Sequence, residues 1–93
     1  MTDQIKGVRH YIRPAFVVDA IQWFGNNLDD IRKFCDPNDV YACGPFLYIK
    51  MNDADEPYEI EVNLLDYIII NSECELWSYQ REYFQKVFVE VNE

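Results

Sequence analysis

Apolar residues recur at every second position through much of this chain, and that alternation constrains its fold more than any other feature. In residues 58–64 the apolar side chains alternate with Glu59, Glu61 and Asn63. A period of two is typical of a strand that has one face in the core and one face in water. The same period predicts further strands. Residues 40–43 and 46–51 form a hairpin around a Gly-Pro turn, residues 67–70 and 74–79 form a second hairpin, and residues 86–91 form a last strand.

Two segments depart from this period. Residues 16–24 are rich in β-branched and aromatic side chains on both faces, which predicts a central strand. Gly25 ends that strand, and Asn26 or Asn27 can then cap a helix over residues 27–35. The apolar stripe of that helix consists of Leu28, Ile31, Phe34 and Cys35.

The length of 93 residues fits one compact domain. We divide it into a basic N-terminal arm, residues 1–13, and a single domain, residues 14–93. The arm contains Lys6, Arg9 and Arg13 against one acidic residue, and it either stays flexible or pairs with an edge of the sheet. The predicted class is α+β: one short helix packed on a curved, mostly antiparallel sheet of six to seven strands.

The charge balance limits the kinds of partner that this chain is expected to bind. Seventeen acidic and eight basic residues give a formal net charge of −9, which argues against direct binding to nucleic acid. No apolar run is long enough for a membrane helix and no leader peptide is recognisable, so we expect a cytoplasmic protein in a bacterial host. A dense acidic segment either keeps the domain in solution or imitates a phosphate backbone towards a basic partner; its members are Asp53, Asp55, Glu56, Glu59 and Glu61.

No constellation of residues predicts catalysis. Cys35, Cys43 and Cys74 are odd in number and widely spaced, with no C-x-x-C pair among them. We therefore interpret them as reduced, packed thiols. His10 has no nucleophile beside it in sequence, and the isolated glycines do not form a phosphate-binding loop. We therefore predict no enzymatic activity, no metal and no cofactor.

Five residues are candidates for a pocket or an anchor for a partner. Asp66 stands at a strand junction, where a carboxylate can hold a turn by accepting backbone amides; a catalytic Asp66 would need Glu73 or Glu75 beside it. Large rings in strands belong to the core or, if exposed, serve as anchors. The candidates are Gln22, Trp23, Asp66, Glu75 and Trp77.

Two motifs resemble a known family. The segment Asp19-Ala20-Ile21-Gln22-Trp23 is similar to an E-A-I-Q-W motif, and residues 65–88 are similar to P-G-D-Y/W-I-I-x-G-x-x-G-E-x-Y-x-C-x-x-x-x-F. Both occur in small phage and prophage proteins, the PGDYG-like family, mostly of Gram-positive bacteria. The chain departs from the pattern at Leu65, where the family has Gly, at the turn residues Glu73 and Cys74, and at Tyr79. The resemblance implies a mobile-element origin and transfers no catalytic residue, because it implies no established activity.

These observations lead to one principal hypothesis. We expect a non-enzymatic interaction protein whose acidic segment binds a host or phage protein that acts on nucleic acid, with inhibition of a defence nuclease as its most concrete form. A domain that binds a small ligand or nucleotide derivative through Gln22, Trp23, Asp66 and Trp77 is the alternative. A virion or replisome accessory subunit is a third reading, and exposed strand edges leave a homodimer open.

Overall fold

The computed structural model describes residues 5–13, 16–52 and 55–90 of the chain. The elements confirm the predicted α+β class. The helices are α1 (Leu28–Cys35) and α2 (Arg81–Val87), and the strands are β1 (Arg9–Arg13), β2 (Phe16–Gln22), β3 (Asp39–Cys43), β4 (Phe46–Met51), β5 (Tyr58–Val62), β6 (Tyr67–Asn71), β7 (Leu76–Tyr79) and β8 (Val89–Glu90).

The strands of the described residues form two antiparallel sheets. The larger sheet has the strand order β7, β6, β2, β1, β8, and β3, β4 and β5 form a three-stranded sheet. The central position predicted for β2 and both predicted hairpins are confirmed. The prediction of one curved sheet of six to seven strands is wrong, because side-chain alternation determines which face of a strand is buried but not which strands share a sheet.

The larger hydrophobic cluster lies between the two sheets and α1. Each sheet buries one face there, so the other face of each sheet forms an outer side of the molecule. The five-stranded sheet contributes Ile21, Ile68 and Leu76, the three-stranded sheet contributes Leu47, Ile49 and Val62, and α1 contributes Ile31, Phe34 and Cys35.

Helix α2 covers part of the far side of the five-stranded sheet, and its presence corrects two predictions. The sequence predicts one helix and a strand over residues 86–91, whereas the described residues contain two helices and β8 is only two residues long. Phe84 is fully buried and stacks on Tyr67, with 4.0 Å between ring centroids. Phe88 stacks on Phe84 at 4.7 Å. Phe84 lies on α2 and Phe88 is its extended C-cap residue, so the two rings meet at the end of the helix, and this packing overrides the strand preference of the valines around them.

The start of α1 differs in one contact from the prediction. Asn27 does stand at the N-cap, but its side chain does not accept an amide of the first turn. Its Oδ1 accepts the N–H of Phe24 at 2.9 Å, and its Nδ2 donates to the carbonyl of Gln22 at 2.9 Å. Asn27 therefore closes the loop between β2 and α1.

The basic N-terminal arm is joined to the five-stranded sheet from residue 9 onward. β1 pairs with β2 on one side and with β8 on the other. Arg9 lies 3.6 Å from Glu90, and His10 Nδ1 lies 2.5 Å from Asp19 across the β1–β2 pair. Residues 1–4 and residues 14–15, which adjoin the predicted arm boundary, lie outside the described residues.

The prediction of packed cysteines holds for one of the three. Cys35 is buried, and desolvation raises the pKa of its thiol to about 12. Cys43 and Cys74 are exposed, so the prediction is wrong for them. Neither of the two described helices has the length and apolar character that a bilayer span requires.

Candidate functional site

The outward-facing side of the three-stranded sheet carries exposed rings beside carboxylates. Residues directly opposite on antiparallel strands share a face, so the registers define this side. Tyr41 lies opposite Tyr48, which lies opposite Glu61, and Lys50 lies opposite both Asp39 and Glu59. We call this surface the outer face; it comprises Asp39, Tyr41, Phe46, Tyr48, Lys50, Glu59 and Glu61.

Two rings of the outer face, Tyr41 and Tyr48, are held in place by each other and by charged neighbours. Tyr41 and Tyr48 stack with 5.2 Å between ring centroids, and the Tyr41 hydroxyl donates to the Glu59 carboxylate at 3.0 Å. Lys50 Nζ lies 5.5 Å from the centre of the Tyr41 ring. Tyr41 is 36% exposed and Phe46 is 40% exposed. The contacts of Tyr41 and Tyr48 therefore give this pair a defined geometry although Tyr41 faces solvent.

The neighbouring carboxylates also raise the pKa values of the two tyrosines. The hydrogen bond to Glu59 is the main cause that raises the pKa of Tyr41. Desolvation, followed by the nearby charge of Glu61, raises the pKa of Tyr48. A phenol at its ordinary pKa is already protonated at neutral pH, so these two tyrosines add no negative charge to this face.

The acidic segment is divided by the structure. Glu59 and Glu61 project from β5 onto the outer face, because alternate residues of a strand share a side. Asp55 and Glu56 are exposed in the preceding loop. Asp53 lies outside the described residues.

Trp23 belongs to the core. It is 1% exposed, and its indole Nε1 donates to the carbonyl of Pro45 at 2.9 Å. Pro45 is in the β3–β4 turn, so Trp23 connects the end of β2 to the three-stranded sheet. Its side chain is closed to a ligand.

Gln22 and Asp66 hold the chain between β5 and β6. Gln22 Nε2 donates to the carbonyl of Leu65 at 2.8 Å. The Asp66 carboxylate accepts the N–H of Asn63 at 3.2 Å and the N–H of Arg81 at 3.3 Å. Asp66 thus holds a turn, as its position in the sequence predicts, and also anchors the first residue of α2.

Trp77 and Glu75 face a second surface, on the far side of the five-stranded sheet. There an open cavity of about 520 Å³ lies beyond the end of α2. We call it the Trp77 groove; its main lining residues are Val18, Ile69, Glu75, Trp77, Tyr79 and Phe88. Gln22, Trp23 and Asp66 do not line it, so the five candidates for a pocket do not come together in one site.

Sequence reasoning named Trp77 of the groove but missed the rings of the outer face. Tyr41, Phe46 and Tyr48 fall at the positions of β3 and β4 that alternate with buried Val40, Leu47 and Ile49. That alternation was a usable signal, because a ring between two core positions of a strand points away from the core. The groove had no such signal, since it depends on where α2 ends.

Among the described residues no three His, Cys, Asp or Glu side chains are grouped so that they could hold a metal ion. In comparisons with known proteins, no family model, curated protein or solved structure matches this chain.

Proposed function

We propose that this protein is a non-enzymatic interaction protein of a phage or prophage, and that its outer face binds a basic surface of a host or phage protein acting on nucleic acid. Inhibition of a defence nuclease is the most concrete form of this function. The observation that carries the proposal is the juxtaposition, on one exposed sheet face, of stacked tyrosines with the carboxylates of Glu59 and Glu61.

The rings suit a protein interface. Tyrosine buries a large area with few rotatable bonds, and interface energy concentrates in such side chains. The stack of Tyr41 on Tyr48 and the bond from Tyr41 to Glu59 restrict these side chains already in the free protein. Binding then loses less conformational entropy than it would with unrestrained side chains.

The charges select a cationic partner. Glu59 and Glu61 are alternate strand residues, so they lie about 7 Å apart along β5. An arginine can stack on a tyrosine ring and bond a carboxylate in two places, so it fits both components of the outer face. Sheet faces that bind single-stranded nucleic acid combine rings with lysine and arginine, whereas here Lys50 is the one base among the described residues of the face.

The sequence resemblance supplies the biological setting. The PGDYG-like family occurs in phages and prophages, and a phage benefits from blocking host enzymes that act on its nucleic acid. An acidic surface with carboxylates along a strand can occupy the basic groove of such an enzyme.

The test uses paired baits. Wild-type protein and a Glu59→Lys/Glu61→Lys variant are immobilised and exposed to lysates of infected and uninfected Gram-positive host cells, and retained proteins are identified by mass spectrometry. We expect a nucleic-acid-handling protein that the wild type retains, that salt elutes and that the variant fails to retain. Identical retention by both baits, or a partner that does not act on nucleic acid, would contradict the proposal.

A purified partner allows the strength of the contact to be measured. Reversing Glu61 alone should weaken binding at least about tenfold at low salt, because close interfacial charge pairs contribute more than 1.4 kcal/mol. Glu82→Lys on α2 is the matched control, since it makes the same charge change on the opposite side of the molecule, and it should stay within about threefold of wild type. Equal losses in the two variants would mean that net charge, and not the outer face, determines affinity.

A further inference from the structure

The Trp77 groove exists because α2 is too short to cover its side of the five-stranded sheet. The helix and Phe88 cover Tyr67 and Ala20, and beyond them the cavity borders Val18 and Ile69, which are only 3% and 2% exposed. The resulting cavity of about 520 Å³ has an apolar floor made by residues that are themselves well buried.

Rings form the sides of this groove. Trp77 lies opposite Ile69 in the register, so its side chain projects from the same face, and it is 44% exposed. Tyr79 and Phe88 line the groove next to it, with 5.7 Å between their ring centroids. An exposed tryptophan beside an open cavity is a typical anchoring position for a ligand.

The turn between β6 and β7 adds a negative rim. Asn71 organises this turn: its Oδ1 accepts the N–H groups of Glu73 and Glu75, each at 2.9 Å, and its Nδ2 donates to the Glu75 carboxylate at 2.9 Å. Glu73 and Glu75 both line the groove, and no lysine or arginine is among its described lining residues. These bonds engage one oxygen of the Glu75 carboxylate and orient it at the rim.

The combination of rings and carboxylates selects the charge of the occupant. A phosphate group would meet two carboxylates and no base, and a neutral apolar ligand would desolvate those carboxylates without pairing them. A flat cation can stack on an indole ring and bond a carboxylate at its edge. We propose that the Trp77 groove binds the guanidinium group of an arginine side chain that a protein partner presents.

The shape of the groove favours a protein-borne arginine over a free small molecule. Sites for small ligands enclose most of their ligand, whereas this groove is open to solvent. It lies beside β7, an outermost strand of its sheet, where an extended partner segment can pass. The groove and the outer face lie on opposite sides of the molecule, so this proposal does not depend on the function proposed above.

The experiment is a titration of the full-length, ¹⁵N-labelled protein with the peptide acetyl-Gly-Arg-Gly-amide, followed by NMR at low ionic strength. The indole N–H signal of Trp77 should shift, as should the amide signals of Glu73 and Glu75. The indole signal of Trp23 is an internal control, because that side chain is buried and bonded to Pro45. Shifts confined to the outer face would overturn the proposal.

Two altered peptides distinguish the contribution of charge to binding from that of shape. Replacing arginine with citrulline, its neutral isostere, should weaken binding at least about fivefold, because it removes both the cation–π contact and the ion pair. A lysine peptide should bind more weakly than the arginine peptide, since ammonium does not stack as a flat group does. Equal affinity for the arginine and citrulline peptides, equal affinity for the lysine peptide, or groove shifts caused by adenosine monophosphate would each refute the assignment.

Variants locate the interaction. Trp77→Leu, and separately Glu73→Gln/Glu75→Gln, should each weaken arginine binding at least about threefold. Glu59→Gln/Glu61→Gln is the matched control on the opposite side and should leave the titration unchanged. An unshifted spectrum of residues outside the groove shows that each variant is folded, so that loss of binding with intact folding supports the proposal and retention of binding contradicts it.

Discussion

Leu65 and Cys74 adopt a backbone conformation that suits glycine better than either side chain. Their φ angles are +74° and +64°, in the left-handed region where a Cβ atom is crowded. Both positions coincide with glycines of the PGDYG-like motif. Side chains other than glycine strain these two turns, and Asn71 and Asp66 stabilise the turns through side-chain bonds to backbone amides.

This strain predicts the outcome of one substitution. Cys74→Gly should raise the free energy of unfolding by about 0.5–1 kcal/mol, because relief of the left-handed strain exceeds the extra chain entropy of glycine. Cys43→Gly is the matched control: Cys43 is the other exposed cysteine, but it lies in β3, where glycine should destabilise by about 0.5–1 kcal/mol. Urea denaturation under reducing conditions measures both. A destabilised Cys74→Gly protein would show that strain at this turn is negligible.

At the level of elements, α2 depends on tertiary packing. Seven residues are too few to form a stable helix alone, and the side chain of the N-cap residue Gln80 forms no capping hydrogen bond. Phe84 holds the helix against Tyr11 and Tyr67, with ring centroids 4.7 Å and 4.0 Å away. Asp66 adds one bond to the first residue of the helix.

Removing that packing should release the helix. Phe84→Ala should lower the free energy of unfolding by about 3–5 kcal/mol, since it opens a cavity at a fully buried ring. Tyr83→Ala, one residue earlier and 50% exposed, should lower it by less than about 1 kcal/mol. Denaturation gives the two values, and amide exchange at Phe84 and Phe88 reports on the helix itself. Similar losses for the two variants would contradict the assignment of α2 as a packed element.

At the level of the whole molecule, the two sheets form successive layers, and the two candidate surfaces lie on opposite outer sides. The described part of the chain has principal extents of 33, 29 and 26 Å. A net charge of −9 on so small a body produces self-repulsion, which salt screens. The excess of acidic groups therefore destabilises the folded protein at low salt.

That self-repulsion can be measured with two neutralising variants. Glu56→Gln should raise Tm by about 1–2 °C at low salt, because it removes one of the exposed acidic groups. Lys50→Gln should lower Tm by a similar amount, since Lys50 faces Asp39 and Glu59. Both differences should shrink when salt shortens the Debye length to a few ångströms. Differences of the same sign, or differences that salt leaves unchanged, would show that self-repulsion is not their cause.

The sequence by itself determined the positions of β2 to β7, the inward face of most of them and the first helix. Alternation placed Val62 inward and Glu59 and Glu61 outward, because the side chains of a strand alternate regardless of what surrounds it. The turn role of Asp66 followed in the same way from its position between strands. The net charge of −9 likewise follows from the sequence alone.

Only the tertiary structure decided how the strands divide into two sheets, whether residues 81–87 form a helix, and which tryptophan is exposed. Trp23 and Trp77 both lie next to apolar residues in sequence, yet Trp23 is covered by the β3–β4 turn and Trp77 is left open where α2 ends. Local pattern specifies the direction of a side chain, but burial depends on contacts with segments far away in sequence. The groove and the complete outer face exist only once those distant segments are packed together.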